Sequence, residues 1–198
     1  RFGTADYGAF SGCSSLTSIT IPESVTSIGD STFYGCSSLT SITIPEGVTS
    51  IGGGAFSDCS SLTNITIPDG VMSIGANAFG GCSSLTSITI PEGVVLIENY
   101  AFAGCSSLTS MTIPESLTSI GYGVFSYCSS LENVYCKAIM PPVANRIGYN
   151  WFTFDDNASG RKIYVPMESV EAYTTADGWA DYADSIVGYD FDNGVVVE

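Results

Sequence analysis

Cysteine is the residue whose type and spacing could most readily support chemistry in this sequence. Thiols at close range can form disulfides or bind a metal. Six of the seven cysteines recur at a fixed interval, namely Cys13, Cys36, Cys59, Cys82, Cys105 and Cys128. In a stacked repeat that interval would place one thiol on each coil, with Cβ atoms roughly 4.8 Å apart rather than the roughly 3.5–4.5 Å of a disulfide. Because the chain also has no histidine, we expect buried free thiols, no metal and no cofactor.

Groups that could catalyse a reaction are scarce. Histidine, the commonest general base, is absent, and the serines occupy repeated positions rather than one distinctive context. The acids Asp155-Asp156, and those between residues 177 and 184, could in principle serve a glycosidase, but loops and helix surfaces carry such acids routinely. Asp190-Phe-Asp192-Asn-Gly194 resembles the start of a calcium loop but lacks the remaining ligands, so we predict a turn. The sequence therefore predicts a protein that is not an enzyme.

The cysteines belong to a repeat of 23 residues that fills most of the chain. Leucine, isoleucine, proline and phenylalanine keep the same interval, for example from Leu16 to Leu131 and from Phe10 to Phe125. Self-similarity at this period is typical of a stacked solenoid of the leucine-rich type. One coil cannot fold alone, because about six large apolar side chains at roughly 1.5–3 kcal/mol each do not offset the ordering of its backbone at roughly 1–2 kcal/mol per residue. Stacking must supply the difference.

Each coil divides into three segments. In residues 39–45, alternation places Ile42 and Ile44 on the inner face of a short strand, which ends at a proline because proline has no N–H for the ladder. Residues 48–51 form a second extended side. In residues 52–62 the apolar positions are spaced by three, which predicts a tight helical or 3₁₀ turn.

These patterns predict a leucine-rich repeat solenoid. We expect a right-handed superhelix with a parallel β-ladder on the concave side and short turns or 3₁₀ segments on the convex side. Residues 1–136 are assigned to the repeat array, with a partial first repeat and six units that begin at the regularly spaced cysteines. Residues 137–198 are assigned to a C-terminal cap of mixed strand and short helix.

Within the cap, three segments carry a recognisable pattern. Lys162–Val165 is predicted to add a strand to the ladder, and residues 167–174 have helical spacing. Trp179, Tyr182 and Ile186 are expected to form the apolar face, and the valines at 195–197 could form a frayed terminal strand.

Composition limits the possible partners. With 44% hydrophobic and only 13% charged residues the chain is too apolar to be disordered. Twenty acidic residues against five basic ones give a formal charge of −15, which repels phosphate backbones, so we expect no nucleic acid partner. No apolar run approaches the roughly 18 residues of a membrane-spanning helix, so we expect no direct insertion of this segment into a membrane.

The repeat resembles the BspA-type leucine-rich repeat. The pattern C-x-x-L-x-x-I-x-I-P-x-x-V-x-x-I-G-x-x-A-F is matched from Cys13 to Phe125 in five consecutive units, and the tail resembles the family's C-terminal segment at Ile163–Pro166 and Ser169–Tyr173 and through residues 178–184. Family members are mostly secreted or surface-exposed proteins of gut and oral anaerobic bacteria, with roles in adhesion to host matrix and to other cells. The resemblance implies a secreted or cell-surface binding module, and we expect any signal or anchor segment to lie outside these 198 residues.

Three functions are compatible with this reading. The favoured one is a non-enzymatic adhesion module, acting as a monomer, that recognises a host matrix protein, another cell or a glycan. The first alternative is a structural stalk that holds another domain away from the cell, since the predicted concave face is small, polar and nearly uniform. A remote alternative is an ice-binding solenoid, although those surfaces need paired threonines where this chain usually pairs Ser with Thr. The predicted concave face consists of Ser18, Thr20, Ser41, Thr43, Asn64, Thr66, Ser87, Thr89, Ser110, Thr112, Asn133 and Tyr135.

Aromatic residues gather where the units differ from one another. The positions between the glycine and phenylalanine of each unit, and those just after the phenylalanine, vary from coil to coil. Exposed aromatic side chains are common binding anchors. The candidate ligand contacts are therefore Tyr100, Tyr122, Tyr127, Tyr135 and Trp151. The alternative is that these rings pack beneath the cap and close the last coil.

Overall fold

The structure, a computed structural model, describes residues 8–145 and 153–197. In chain order its strands are β1 (Ser50–Ile51), β2 (Asn64–Thr66), β3 (Ser73–Ile74), β4 (Ser87–Thr89), β5 (Leu96–Ile97), β6 (Ser110–Ile113), β7 (Ser119–Ile120), β8 (Asn133–Cys136), β9 (Val143–Ala144), β10 (Lys162–Pro166), β11 (Ile186–Asp190) and β12 (Val195–Val196). One α-helix, α1 (Val170–Thr175), lies among these residues, with 3₁₀ segments at Met167–Ser169 and Ala180–Ser185. None of these helices has the length and apolar character that crossing a bilayer requires.

The strands form two sheets along two sides of the stacked coils. The shorter sheet has the order β1-β3-β5-β7-β9, and the longer sheet has the order β12-β11-β10-β8-β6-β4-β2. The pairs are parallel except for β11 with β12. Isolated bridges from Thr20 to Thr43 and from Thr43 to Thr66 carry the longer ladder into the first coils. The predicted leucine-rich repeat solenoid, with parallel ladders and a C-terminal cap of strand and short helix, is confirmed.

Burial along each strand follows the alternation in its sequence. In β4, Ile88 is buried between the exposed side chains of Ser87 and Thr89, because successive side chains of a strand point to opposite faces. The strands pair one repeat apart, so that Ile65 lies opposite Ile88. We call the outward-pointing side chains of the longer sheet the ladder face.

A column of phenylalanine rings fills the interior beside the turns. Neighbouring ring centroids are 5.3–5.6 Å apart and their planes differ by 2–13°. The column contains Phe10, Phe33, Phe56, Phe79, Phe102, Phe125 and Phe154. The first six keep the repeat interval, whereas Phe154 comes from the cap and restores the column after that interval is broken.

The cysteines lie next to this column and act as hydrogen-bond donors. The Sγ of Cys82 donates to the backbone carbonyl of Phe56 at 3.2 Å, and the Sγ of Cys105 donates to that of Phe79 at 3.3 Å. Each of these two thiols thereby binds a backbone carbonyl of the preceding coil. All seven cysteines are free, and Cys13 is the exposed one.

The cap extends the longer sheet and then closes the end of the core. β10 pairs with β8 and β11 pairs with β10, both in parallel. Tyr173 and Trp179 are buried, and they donate to the carbonyls of Ala138 at 2.7 Å and Pro142 at 2.8 Å. The predicted strand near 162–165 and the helical segment near 167–174 are both present. Ile186 is buried as the first residue of β11, a strand that the sequence pattern did not predict.

Thiol titration can test the stacked arrangement. All seven cysteines should react with Ellman's reagent in denaturant without reductant, whereas in the native protein only Cys13 should react quickly. The other thiols are buried, and burial raises the pKa of Cys59 to about 12, which leaves little reactive thiolate at pH 8. A Cys13→Ser variant should lose the fast phase alone. Fewer than seven reactive thiols in denaturant would contradict a column of free cysteines.

Truncating one ring in the middle of the phenylalanine column should be costly. Phe79 is fully buried between Phe56 and Phe102, so Phe79→Ala should lower the free energy of unfolding by about 3–5 kcal/mol. Phe10 is 36% exposed at the end of the column, and Phe10→Ala should have a much smaller effect. Urea unfolding followed by circular dichroism measures both. Equal losses would show that the column does not stabilise its centre more than its end.

Candidate functional site

The structure divides the predicted aromatic contacts between two surfaces. Tyr135 lies on the ladder face in β8. Tyr100, Tyr122 and Tyr127 lie in the turns on another side of the coil. Trp151 lies outside the described residues. The candidate residues therefore belong to two separate groups rather than one.

Three tyrosines meet on the ladder face at its C-terminal end. Tyr164 of β10 is the in-register neighbour of Tyr135, and their rings stack with centroids 4.8 Å apart and planes 16° apart. Tyr189 of β11 meets both rings at an angle, at 5.4 Å from Tyr135 and 5.3 Å from Tyr164. Phe191 contacts Tyr189 edge-on at 5.0 Å. We call Tyr135, Tyr164 and Tyr189 the tyrosine cluster.

The tyrosine cluster is held in place by its own contacts. The hydroxyl of Tyr164 donates to Oδ1 of Asn133 at 3.2 Å, which ties the ring to the neighbouring strand. Burial, together with the nearby hydroxyls of Tyr164 and Tyr189, raises the pKa of Tyr135, so its hydroxyl stays neutral at physiological pH. The cluster therefore presents half-buried rings in a fixed arrangement.

Sequence reasoning identified Tyr135 in this cluster but missed Tyr164 and Tyr189. Tyr164 had a usable signal, because it alternates with Ile163 and Val165 in a segment that was predicted to join the ladder. Tyr189 had a weaker signal, because its strand follows a helical segment and the position one repeat earlier holds Pro166 rather than an aromatic residue.

The rest of the ladder face is polar and uniform. Serine, threonine and asparagine side chains are exposed from Ser18 to Ser110, and Thr112 and Asn133 are half-buried near the tyrosine cluster. The exposed members are Ser18, Thr20, Ser41, Thr43, Asn64, Thr66, Ser87, Thr89 and Ser110. Their repetition gives no single position on the first five coils a distinctive chemistry.

An open groove adjoins the tyrosine cluster. It has a volume of about 580 Å³, and Tyr189 and Phe191 form part of its wall. Ile139 and Met167 contribute exposed apolar surface. The other walls carry charged side chains from several elements, namely Glu115, Lys137, Glu168, Asp190 and Asp192.

The segment that resembles a calcium loop forms the turn between β11 and β12. Oδ1 of Asp190 accepts hydrogen bonds from the backbone N–H groups of Asp192 at 3.0 Å and Asn193 at 2.9 Å. Oδ2 accepts from Nδ2 of Asn193 at 2.7 Å. Hydrogen bonds from the side chain and then the backbone of Asn193 lower the pKa of Asp190, so this carboxylate remains charged.

The tyrosines on the turn side occupy strained backbone positions. Tyr100 and Tyr127 have φ angles of 57° and 61°, in the left-handed region where an ordinary residue costs about 1–2 kcal/mol. In the equivalent positions the other coils carry the residues that adopt this region most readily or tolerate it. These are Ser31, Gly54, Asn77 and Gly123 for Tyr100, and Gly12, Gly35, Asp58, Gly81 and Gly104 for Tyr127.

Tyr100 and Tyr122 contact each other, and Tyr100 also lies over the next coil. Their rings meet edge-to-face with centroids 5.0 Å apart. A Cβ at Gly123 would collide with the Tyr100 ring, so this ring lies directly over that glycine. Tyr127 remains 53% exposed. Tyr100 and Tyr122 thus have packing partners, whereas Tyr127 offers an exposed ring.

The stacked coils, the two parallel ladders and a polar ladder face built from repeated positions define a leucine-rich repeat protein. A model of the BspA type leucine rich repeat region matches six copies, over residues 4–132 and 49–173. The chain belongs to the BspA-type leucine-rich repeat family, as its sequence resemblance implied. No curated protein matches the chain.

Solved structures of bacterial proteins share this fold. The leucine rich repeat protein TpLRR of T. pallidum is 34% identical, with a TM-score of 0.64, over 67% of this chain and 63% of that one. A leucine rich cell surface protein of Faecalibacterium prausnitzii is 31% identical, with a TM-score of 0.58, over 81% of this chain and 46% of that one. The pneumococcal vaccine antigen PcpA, 21% identical over 92% of this chain and 42% of that one with a TM-score of 0.60, shows the fold alone. The match to the first two relatives therefore spans less than two thirds of their length.

Replacing Tyr127 with glycine should stabilise the protein. The Tyr127→Gly variant relieves the left-handed strain and removes a ring that is 53% exposed, so the free energy of unfolding should rise by up to about 1 kcal/mol. Tyr34→Gly is the matched control, because Tyr34 is 43% exposed but is not among the residues with positive φ. Thermal unfolding measures both variants. A lower melting temperature for Tyr127→Gly than for the wild type would show that the Tyr127 ring stabilises the last coils despite its strain.

Proposed function

We propose that this chain is a non-enzymatic binding module of a secreted or cell-surface protein, and that it adheres to a protein or glycan of the host or of a neighbouring cell. The tyrosine cluster is the observation that carries the proposal, because it is the one aromatic group on the described part of the ladder face. Membership of the BspA-type family and similarity to a protein described as a leucine rich cell surface protein support the location.

The tyrosine cluster has the properties of a binding anchor. Tyrosine offers a large contact area together with a hydroxyl, and interface residues that dominate affinity are often aromatic. The three rings already contact one another, so little side-chain freedom remains to be lost when a ligand binds. The neighbouring hydroxyl and amide groups of Thr112 and Asn133 can supply hydrogen bonds around this centre.

The uniform part of the ladder face favours a second role for the same molecule. Its exposed side chains from Ser18 to Ser110 are small and polar, which gives a partner no large side chain to enclose. These coils would then act as a stalk that sets the distance between the cell and the tyrosine cluster. The two roles are compatible, since they use different parts of the chain.

Removing two rings should separate a binding module from a simple stalk. The intact chain, probed on an array of matrix proteins and glycans, should bind at micromolar concentration, and the double variant Tyr135→Ala with Tyr164→Ala should weaken that binding by about tenfold or more. Tyr34→Ala is the matched control, because Tyr34 is an exposed tyrosine away from the ladder face and should bind as the wild type does.

Melting curves of each variant show whether the fold is intact. If the intact chain binds nothing on the array, the stalk is the better description. If the Tyr34→Ala control loses as much binding as the double variant, the binding surface lies outside the tyrosine cluster.

A further inference from the structure

We propose that the groove beside the tyrosine cluster binds a basic segment of a partner protein, in which large apolar side chains are interspersed among lysine or arginine side chains. The inference rests on the proposed binding function and specifies the chemistry of the partner. Three features support it: an apolar floor, an acidic rim, and a row of carboxylates that leads from the coils into the groove.

The floor of the groove is made of apolar side chains that remain in contact with water. Ile139 is 51% exposed and Met167 is 55% exposed, and Phe191 and Tyr189 stand beside them. A volume of about 580 Å³ has room for two or three side chains of a partner. Apolar side chains gathered in a concavity release water when a complementary side chain covers them. The floor therefore selects a partner that carries large apolar groups.

The rim of the groove is acidic. Glu115, Glu168 and Asp192 are exposed, and within residues 8–145 and 153–197 no cation pairs with their carboxylates. Asp190 adds a fourth carboxylate, which the hydrogen bonds of its turn keep charged. Lys137 also lines the groove, but its ammonium is held by Oε1 of Glu92 at 2.9 Å. The rim therefore presents a net negative charge to any occupant.

A row of carboxylates connects this rim to the rest of the array. One exposed acid follows the proline in each regular coil, at the strand spacing of roughly 4.8 Å. The row consists of Glu23, Glu46, Asp69, Glu92 and Glu115. Its last member, Glu115, lies in the groove. Aligned like charges add their fields, so the row attracts a cationic chain toward the groove.

The salt bridge of Lys137 shows how this row receives an ammonium group. Oε1 of Glu92 contacts the Nζ of Lys137, while Oε2 of the same carboxylate accepts the backbone N–H of Glu115 at 3.1 Å. The backbone hydrogen bond fixes the carboxylate and leaves one oxygen directed outward. A lysine of a partner can pair with the unpaired carboxylates of the row in the same way.

Other classes of ligand are complementary to only one of the two parts of this groove, the acidic rim or the apolar floor. A neutral glycan could stack on Tyr189 but gains nothing from the charge of the rim. A nucleic acid or another polyanion is repelled. A small inorganic cation would leave the apolar floor uncovered. A basic and apolar polypeptide segment matches the rim and the floor together.

Fluorescence anisotropy with a defined peptide tests this assignment on the intact chain. The probe is a labelled octapeptide, Lys-Leu-Lys-Lys-Leu-Lys-Lys-Leu, with one counterpart in which Gln replaces every Lys and another in which Ser replaces every Leu. The first peptide should bind best, and its affinity should fall by about tenfold between 20 and 200 mM salt because ions screen exposed charges. Replacing either the lysines or the leucines should weaken binding.

Two pairs of variants locate the site. The double variant Glu115→Gln with Glu168→Gln should lower the affinity for the octapeptide by about tenfold. The control, Asp58→Asn with Asp184→Asn, removes the same charge from exposed positions outside the groove and should change that affinity by less than about twofold. The double variant Ile139→Asn with Met167→Gln should lower the affinity for the octapeptide and leave the affinity for its serine counterpart unchanged. Melting curves confirm that each variant is folded.

Each outcome decides a separate question. Equal losses in the two charge variants would show attraction by net charge alone and overturn the groove as a site. Competition by cellohexaose, with little dependence on salt, would make the groove a glycan site and overturn the basic partner. Binding to the array without binding to the octapeptide would overturn this inference and leave the proposed function standing, whereas failure of both would remove both.

Discussion

The structure depends on one constraint: each coil must return the chain to the same position one strand spacing further on. The coil cannot be stable alone, so its apolar groups are buried by identical groups above and below. The phenylalanine column shows this directly, because equivalent rings of successive coils stack with centroids 5.3–5.6 Å apart. The cysteines obey it too, because the Sγ of Cys82 reaches a carbonyl of the coil before it. The left-handed turn positions follow from the same need, since the path must close after 23 residues.

The sequence alone was sufficient to predict the fold of the array, because residues at equivalent positions of successive repeats contact each other. Once Ile65 and Ile88 occupy equivalent positions, their pairing follows. The cap was predicted only in part. Its strand at 162–165 retained an alternating pattern, whereas β11 contains Gly188 and follows a helical segment, which obscured that Ile186 lies one repeat interval after Ile163. Phe154 joins the phenylalanine column after a longer interval than its predecessors, and no period in the sequence reveals that.

The candidate site was predictable to the same extent as the elements that form it. Tyr135 belongs to a regular unit and was identified, but the contacts of Tyr189 depend on a strand that the sequence analysis did not predict. The site also lies where regularity ends, and this has a physical reason. Inside the array every coil must match its neighbours, so a bulky or charged residue at one inward position would disturb two interfaces. The last coils contact the cap instead, and their residues are free to differ.

The fixed register between coils also has a genetic consequence. Because Ser87 pairs with Asn64 as Asn133 pairs with Ser110, a whole unit could be duplicated or deleted within the array without disturbing the contacts of those that remain. Each such event would change the length of the molecule by one strand spacing, roughly 4.8 Å, and leave the tyrosine cluster intact. Unequal recombination between the DNA segments that encode successive units could therefore change the length of the array in small, equal steps while the tyrosine cluster is inherited unchanged.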